Sequence, residues 1–176
     1  MFYGFDVDSI GKYDKHDKLY FYVTVRTFKN KLVWGRVIDS NMVLSAYGKV
    51  AAKYLDHYEG VHSAITVEES CVMPNHVHIL LSIKRSGLEY APGETALKRF
   101  VAEMTEEYKQ KTTVGLYEFL KSIASLGVSE DMTEFWHDGC NVKVISSLNE
   151  YGKAAHHVKN NPSEWEKDKY YPISEM

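Results

Sequence analysis

Runs of β-branched and aromatic residues predict a pair of strands near the start of the chain. Residues 18–27 read KLYFYVTVRT, a composition typical of a strand. Residues 31–39 follow directly after Lys29 and Asn30, which suit a turn. We therefore expect residues 18–27 and 31–39 to pair as a hairpin.

A second pair of strands is predicted in the middle of the chain. Residues 64–72 and 76–83 flank the short connection Met73-Pro74-Asn75, where proline cannot continue a central ladder. A further short strand is predicted over residues 140–145. These segments supply enough strands for one sheet.

Apolar residues three or four positions apart predict three helices. The first is capped by Ser45 and runs to about Tyr58, with Gly60 as a stop signal. The second spans about 95–111. The third spans about 148–160 and ends there, because the residue before Pro162 is driven away from helical dihedrals.

Two regions lack a clear period. Residues 112–134 are expected to form an irregular insertion, with room for a short helix over 116–126. Residues 163–176 are expected to be an extended, mostly irregular tail. The element order then reads β-β-α-β-β-α-β-α, which predicts an α+β fold with an antiparallel sheet covered by helices.

Length and composition favour a single domain over residues 1–176, since 176 residues suffice for one hydrophobic core. The sequence has no apolar stretch long enough to cross a bilayer, and charges interrupt the N-terminal segment where a signal peptide needs apolar residues. We therefore expect a cytoplasmic protein with no membrane partner.

The charge distribution leaves a nucleic-acid partner open. The net charge of −3 argues mildly against one, because phosphate binding draws on clustered Lys and Arg. Between Ser9 and Arg36, however, seven basic residues stand against two acidic ones, a local charge of +5. A lysine-rich strand edge that resists aggregation explains this cluster as well as a DNA contact does.

His76 and His78 are the clearest candidates for chemistry. Side chains alternate on a strand, so both imidazoles project from one face while Val77 and Ile79 point into the core. Two imidazoles so placed can share one divalent ion, although the pair alone does not name the ion. Two surface or hydrogen-bonded histidines are the alternative interpretation.

The residues around this pair carry a family resemblance. Residues 72–81, VMPNHVHILL, closely resemble the HUH segment of single-tyrosine transposases, including the REP-associated type. Four further segments resemble family members in the same order. They are Arg26-Thr27-Phe28 to Gly35, MVLSAYG at 42–48, Phe135-Trp136 and VKNNPSEW at 158–165. The resemblance covers about 20–172, apart from 112–134.

The resemblance implies a ferredoxin-like or RRM-like fold of the HUH endonuclease type, with His76 and His78 on a central strand. It implies a divalent ion, Mg²⁺ or Mn²⁺, held by these histidines and by Asn161 at the third ligand position. In such enzymes the ion polarises the scissile phosphate while a tyrosine attacks phosphorus. The implied partner is single-stranded or hairpin DNA, and whether the chain acts as a monomer or as a homodimer stays open.

The chain departs from the family pattern at the nucleophile. The tyrosine position, four residues before Asn161, holds His157. This histidine could attack phosphorus itself, add a metal ligand, or mark a lost activity. Tyr151 is a weaker alternative nucleophile, because it lies roughly 120° around the helix from His157, on the stripe expected to pack.

Several basic residues are candidate DNA contacts, although each could equally be a solvated surface charge. They are Arg26, Lys29, Lys31, Lys98, Arg99 and His137. The resemblance thus implies a DNA-binding protein that cleaves and transfers single-stranded or hairpin ends. Two alternatives stay open: a catalytically impaired or domesticated descendant that only binds DNA, and a metal-binding ferredoxin-like module with no DNA role.

Overall fold

The computed structural model describes residues 17–56, 58, 64–87, 93–124 and 134–172. Within these ranges the strands are β1 (Lys18–Arg26), β2 (Gly35–Ile38), β3 (Asn41–Leu44), β4 (Ile65–Met73), β5 (His76–Lys84) and β6 (Asn141–Ile145). The α-helices are α1 (Ala46–Asp56), α2 (Glu94–Ala124) and α3 (Leu148–Asn160). None of these helices combines the length and hydrophobicity that a membrane crossing requires.

The main sheet has four strands in the order β4-β5-β1-β6, and every neighbouring pair is antiparallel. The predicted α+β class with an antiparallel sheet is therefore confirmed. The two central strands, β5 and β1, contain more buried residues than the edge strands β4 and β6. One face of the sheet packs with α1 and α2 into the hydrophobic core.

The predicted pairing of residues 18–27 with 31–39 is wrong. Both edges of β1 are already occupied, since Val23 lies opposite Ile79 on β5 and opposite Val142 on β6. The strand β2 instead pairs with β3 in a separate hairpin. Asp39 and Ser40 join the two with φ of 49° and 63°, the left-handed conformation that a tight hairpin turn requires.

The first helix follows the prediction closely. The hydroxyl of Ser45 accepts a hydrogen bond from the backbone N–H of Gly48 at 3.0 Å, so Ser45 is its cap. Ala51 and Leu55 are buried along the predicted stripe. Gly60, the expected stop signal, lies outside the described residues.

The second helix is much longer than predicted. It runs over 31 residues, so residues 112–124 are helical rather than irregular, and the short helix expected from residue 116 is its continuation. The apolar stripe weakens because Lys109 and Thr112 take inward positions on this helix. Close packing continues beyond them, since a Cβ on Gly115 would collide with the ring of Tyr54. Residues 125–133 lie outside the described ranges.

The last part of the chain covers the other face of the main sheet. Helix α3 has the predicted bounds and is capped by Ser147, whose hydroxyl accepts from the N–H of Glu150. Residues 163–172, expected as an extended tail, instead fold back through a short 3-10 helix, Trp165–Lys167. Trp165 and Asp168 become buried by this return, which brings residues 165–170 onto β5.

Candidate metal site and the adjoining cleft

Strand β5 places the two histidines side by side in the protein interior. His76 is 0% exposed and His78 is 3% exposed, while Val77 and Ile79 enter the core on the opposite face. The Nε2 atoms of the two rings are 3.0 Å apart. The prediction that both imidazoles share one face is therefore confirmed.

Hydrogen bonds fix which nitrogen of His76 carries a proton. The side-chain amide of Asn75 donates to the carbonyl oxygen of Tyr170 at 2.7 Å, so its Oδ1 atom is left facing Nδ1 of His76 at 2.9 Å. Because Oδ1 can only accept, Nδ1 must donate. The lone pair of His76 is then on Nε2, directed at His78.

Two hydroxyl groups contact His78 at Nδ1, the ring nitrogen that does not face His76. Its Nδ1 atom lies 2.8 Å from the hydroxyl of Tyr22 and 3.0 Å from that of Thr24, which pairs with His78 across β1 and β5. A hydroxyl can donate or accept, so these contacts suit either tautomer. Support of this kind behind a ring nitrogen is what orients a metal-binding histidine.

Asp168 supplies a third candidate metal ligand, which the sequence did not reveal. Its Oδ2 atom lies 3.8 Å from Nε2 of His76 and 4.0 Å from Nε2 of His78. Ligand atoms of these three buried residues all lie within 4.8 Å of one another. The carboxylate reaches this position because the turn after Trp165 returns the chain to β5.

Helix α3 brings the two remaining predicted residues to the same place. The amide nitrogen of Asn161 donates to Oδ2 of Asp168 at 2.7 Å. Nε2 of His157 lies 3.8 Å from that same oxygen. The Oδ1 atom of Asn161 is buried and has no hydrogen-bond partner among the described residues.

The protonation states suit a cation. Burial, together with the neighbouring His78, lowers the pKa of His76 to about 3, and burial also lowers the pKa of His78. Burial alone would raise the pKa of Asp168, but interactions with His78, Asn161 and the backbone N–H of Tyr170 outweigh it and hold that pKa below its ordinary value. Neutral imidazoles beside a carboxylate are the forms in which these groups bind metals.

The donor set fits a divalent ion. With metal–ligand bonds near 2.1 Å, ligand atoms in tetrahedral or octahedral sites lie about 3.0–4.2 Å apart, and the separations among His76, His78 and Asp168 are 3.0, 3.8 and 4.0 Å. The unpaired Oδ1 of Asn161 is a further donor atom beside them.

Tyr151 lies away from this donor set. Its ring packs edge-on against Tyr20, with ring centroids 5.0 Å apart. Tyr20 precedes Thr24, the partner of His78, by four residues, which is roughly 13 Å along a strand. The packing role given to Tyr151 agrees with this position.

Two of the candidate DNA contacts meet in a cleft beside the histidines. Arg26 donates to Nε2 of His137 at 3.0 Å, and its guanidinium lies 5.7 Å from the ring centroid of Tyr170. With Thr24 and Lys169 these residues line a cleft of about 350 Å³. It adjoins the donor set, since Tyr170 packs on His76 with ring centroids 4.9 Å apart.

The other four basic candidates have local partners instead. Lys29 and Lys31 lie over the ring of Phe28, at 5.0 and 5.9 Å from its centroid. Lys98 pairs with Glu94, and Arg99 pairs with Glu103, one helical turn apart. A DNA contact by any of the six residues stays a prediction.

Sequence reasoning missed Asp168, the supporting pair Tyr22 and Thr24, and the cleft residues Lys169 and Tyr170. A signal existed for the strand pair, because residues of β1 with the same parity share one face. The end of the chain gave a weaker signal. Its aromatic residues Trp165, Tyr170 and Tyr171 are unusual in a solvated tail and indicate packing.

No protein-family model and no curated protein sequence matches the chain. Eight chains of solved structures do match it. One is a protein from Deinococcus radiodurans R1 assigned as a transposase, at 15% identity over 81% of this chain and 90% of that one, with a TM-score of 0.44. Another is a REP-associated tyrosine transposase bound to a REP hairpin, at 11% identity over 89% of this chain and 73% of that one, with a TM-score of 0.52. The protein thus has the fold of the REP-associated tyrosine transposase, in agreement with the resemblance of residues 72–81 to the HUH segment.

Proposed function

We propose that the protein binds single-stranded or hairpin DNA ends in the cleft beside His76 and His78, and acts there in metal-dependent cleavage and transfer of the strand. The observation that carries this proposal is the buried group of His76, His78 and Asp168 at the edge of a cleft whose lining includes Arg26 and Lys169. A protein of the same fold was solved with a REP hairpin bound, which supports DNA as the partner.

The residues that would hold the ion are His76 and His78 through Nε2 and Asp168 through Oδ2, with Asn161 beside them. A divalent ion there, Mg²⁺ or Mn²⁺ by family resemblance, supplies a Lewis acid for the non-bridging oxygens of a phosphodiester. Asn75 keeps the lone pair of His76 on Nε2, and the hydroxyls behind His78 hold its ring in place. The chain thereby fixes both imidazoles before any substrate arrives.

The cleft offers the two kinds of contact that unpaired DNA uses. Arg26 and Lys169 present positive charge for the phosphate backbone. Tyr170 is partly exposed there, and an aromatic ring can stack on an unpaired base. Arg26 and Lys169 both lie near that ring, at 5.7 and 5.5 Å from its centroid. Base stacking and phosphate contacts would therefore fall within one nucleotide of each other.

One observation favours a second candidate, in which the protein binds DNA without cleaving it. Residue 157 is histidine where the family places its tyrosine. Tyr22 does not replace that nucleophile, because its hydroxyl contacts Nδ1 of His78, the ring atom turned away from Asp168. Burial also raises the pKa of Tyr22 above its ordinary value, so its phenolate is scarce at neutral pH.

The test uses the full chain with end-labelled single-stranded oligonucleotides that contain hairpins, in Mn²⁺, in Mg²⁺ and in a chelator. Metal-dependent nicking with a covalent adduct on a denaturing gel supports cleavage and transfer. Salt-sensitive binding without nicking supports the second candidate. Absence of binding overturns both and leaves a metal-binding module with no DNA role.

Two exposed lysines give a matched pair for the binding surface. Lys169→Ala removes a cation from the cleft, while Lys121→Ala removes one from the end of α2. We expect the first to weaken DNA binding several-fold and to reduce its salt dependence, and the second to leave both unchanged. Equal effects would place the DNA elsewhere on the surface.

A further inference from the structure

Helix α3 directs His157 at the same carboxylate oxygen that faces the two strand histidines. Its Nε2 lies 3.8 Å from Oδ2 of Asp168, the separation that also joins Nε2 of His76 to that oxygen. The His157 ring lies edge-on to the His78 ring, with centroids 5.0 Å apart. Asp168 is thus approached by three imidazoles, two from β5 and one from α3.

His157 differs from the other donors in its freedom to move. Its side chain is 40% exposed, whereas those of His76, His78 and Asp168 are 0–3% exposed. Its Nε2 lies 3.5 Å from the amide nitrogen of Asn161, longer than the usual hydrogen bond of about 2.7–3.2 Å. The ring is therefore more exposed than the other three and can turn toward an ion without losing a strong hydrogen bond.

We propose that His157 is the fourth protein ligand of the metal site, which makes the site a three-histidine, one-carboxylate centre. The inference rests on the metal part of the proposed function and does not require DNA cleavage. It assigns the residue at the tyrosine position to the ion instead of to phosphorus. As a ligand, its Nε2 lone pair is engaged by the metal and is not available for nucleophilic attack.

Four such donors predict which ion is bound. Mg²⁺ prefers oxygen ligands and keeps several waters, whereas imidazole suits Zn²⁺, Co²⁺ and related ions. Three imidazoles and one carboxylate are ligand types of the kind found in zinc sites. The site should therefore select Zn²⁺ and Co²⁺ strongly over Mg²⁺, in contrast to the Mg²⁺ or Mn²⁺ that the family resemblance implies.

The experiment is a Co²⁺ titration of the chelator-treated full chain, followed by visible absorption. We expect one Co²⁺ per chain with the intense bands of four-coordinate Co²⁺, displaced by Zn²⁺ and unaffected by excess Mg²⁺. His157→Ala should weaken Co²⁺ affinity by at least about tenfold and reduce these bands, since loss even of an outer partner costs about 10- to 100-fold. His157→Tyr, which restores the family residue, should behave in the same way.

The matched control is His156→Ala. His156 is the neighbouring histidine on α3 and is exposed, so its loss should leave Co²⁺ affinity and spectrum unchanged. If His157→Ala binds Co²⁺ with the affinity and spectrum of the wild type, the inference is overturned while the metal at His76 and His78 stands. If the wild type binds no Co²⁺, the metal part of the proposed function fails together with the inference. Circular dichroism of each variant establishes that it is folded.

Discussion

The two faces of strand β5 are equally buried but chemically unlike. Val77, Ile79, Leu81 and Ile83 face the core, where α1 and α2 cover them. The opposite face carries His76 and His78, covered by α3 and by the return of the chain at residues 161–172. Burial of apolar side chains stabilises the fold directly, while burial of imidazoles is unfavourable unless hydrogen bonds or an ion satisfy them. We infer that the fold loses stability at the histidine face in order to hold the candidate metal ligands in place.

The largest expected contrast comes from one substitution on each face, measured by urea unfolding in a chelator. Ile79→Ala should lower the free energy of unfolding by about 2–5 kcal/mol, because it leaves a cavity in the core. His76→Ala should cost clearly less, since the lost group was a buried polar one whose desolvation opposed folding. Equal losses at the two positions would remove the distinction between the faces.

The buried His76 and His78 should also make the stability of the protein depend on pH. The folded-state pKa of His76 is about 3 and that of His78 is also lowered, so below the ordinary value near 6.5 the unfolded chain takes up protons that the folded chain does not. The free energy of unfolding should therefore fall with decreasing pH by up to about 1.4 kcal/mol per pH unit for each histidine.

The slope of the free energy of unfolding against pH should distinguish the two faces of β5. Ile79→Ala should shift the whole stability curve in a chelator down without changing its slope between about pH 6.5 and about pH 4.5. His76→Ala should make the curve shallower in that window. A wild-type curve that stays flat there would mean that the buried histidines are not held neutral.

Replacement of Lys109 should have a smaller effect on stability. This residue links helix α2 to the loop beside the cleft. Lys109 on α2 is 6% exposed and donates to the carbonyl oxygens of His137 and Gly139 at 2.9 and 3.4 Å. Lys109→Met keeps the apolar stem but leaves these acceptors unpaired, which should cost about 1–3 kcal/mol. DNA affinity should fall as the loop that carries His137 loosens, while metal affinity stays unchanged.

Lys111→Met is the control for this substitution. Lys111 is exposed and pairs with Glu107 across one helical turn, so its loss should change stability by less than about 0.5 kcal/mol. A drop in metal affinity for Lys109→Met would contradict the account, because it would mean that α2 supports the donors themselves.

The features that depend on nearby residues in the sequence were predicted correctly. The bounds of α3, the two strands around Met73-Pro74-Asn75 and the shared face of His76 and His78 all follow from side-chain periodicity and from proline. The hairpin partner of β1 was wrong because strand pairing is a long-range choice. The sequence near Lys29 predicts a turn, but β5 and β6, far along the chain, occupy both edges of β1.

The site was half predictable for the same reason. Asn161 and His157 were found through the family resemblance, whereas Asp168 depends on a short turn that returns the chain to a strand about ninety residues earlier. The length of α2 was missed because the inward Lys109 and Thr112 interrupt its apolar stripe. Each buried polar residue that serves a distant group weakens the pattern from which helices are predicted.

The most direct test of the account is metal binding by Asp168→Asn, measured by calorimetric titration with Co²⁺ and Mn²⁺ under the same conditions as the wild type. The substitution keeps the shape of the side chain and removes the charge that makes the group a strong ligand. The account predicts one ion per wild-type chain and binding weakened at least about tenfold in the variant. A variant that binds as tightly as the wild type, or a wild type that binds no ion, would contradict the assignment of His76, His78 and Asp168 as a metal site.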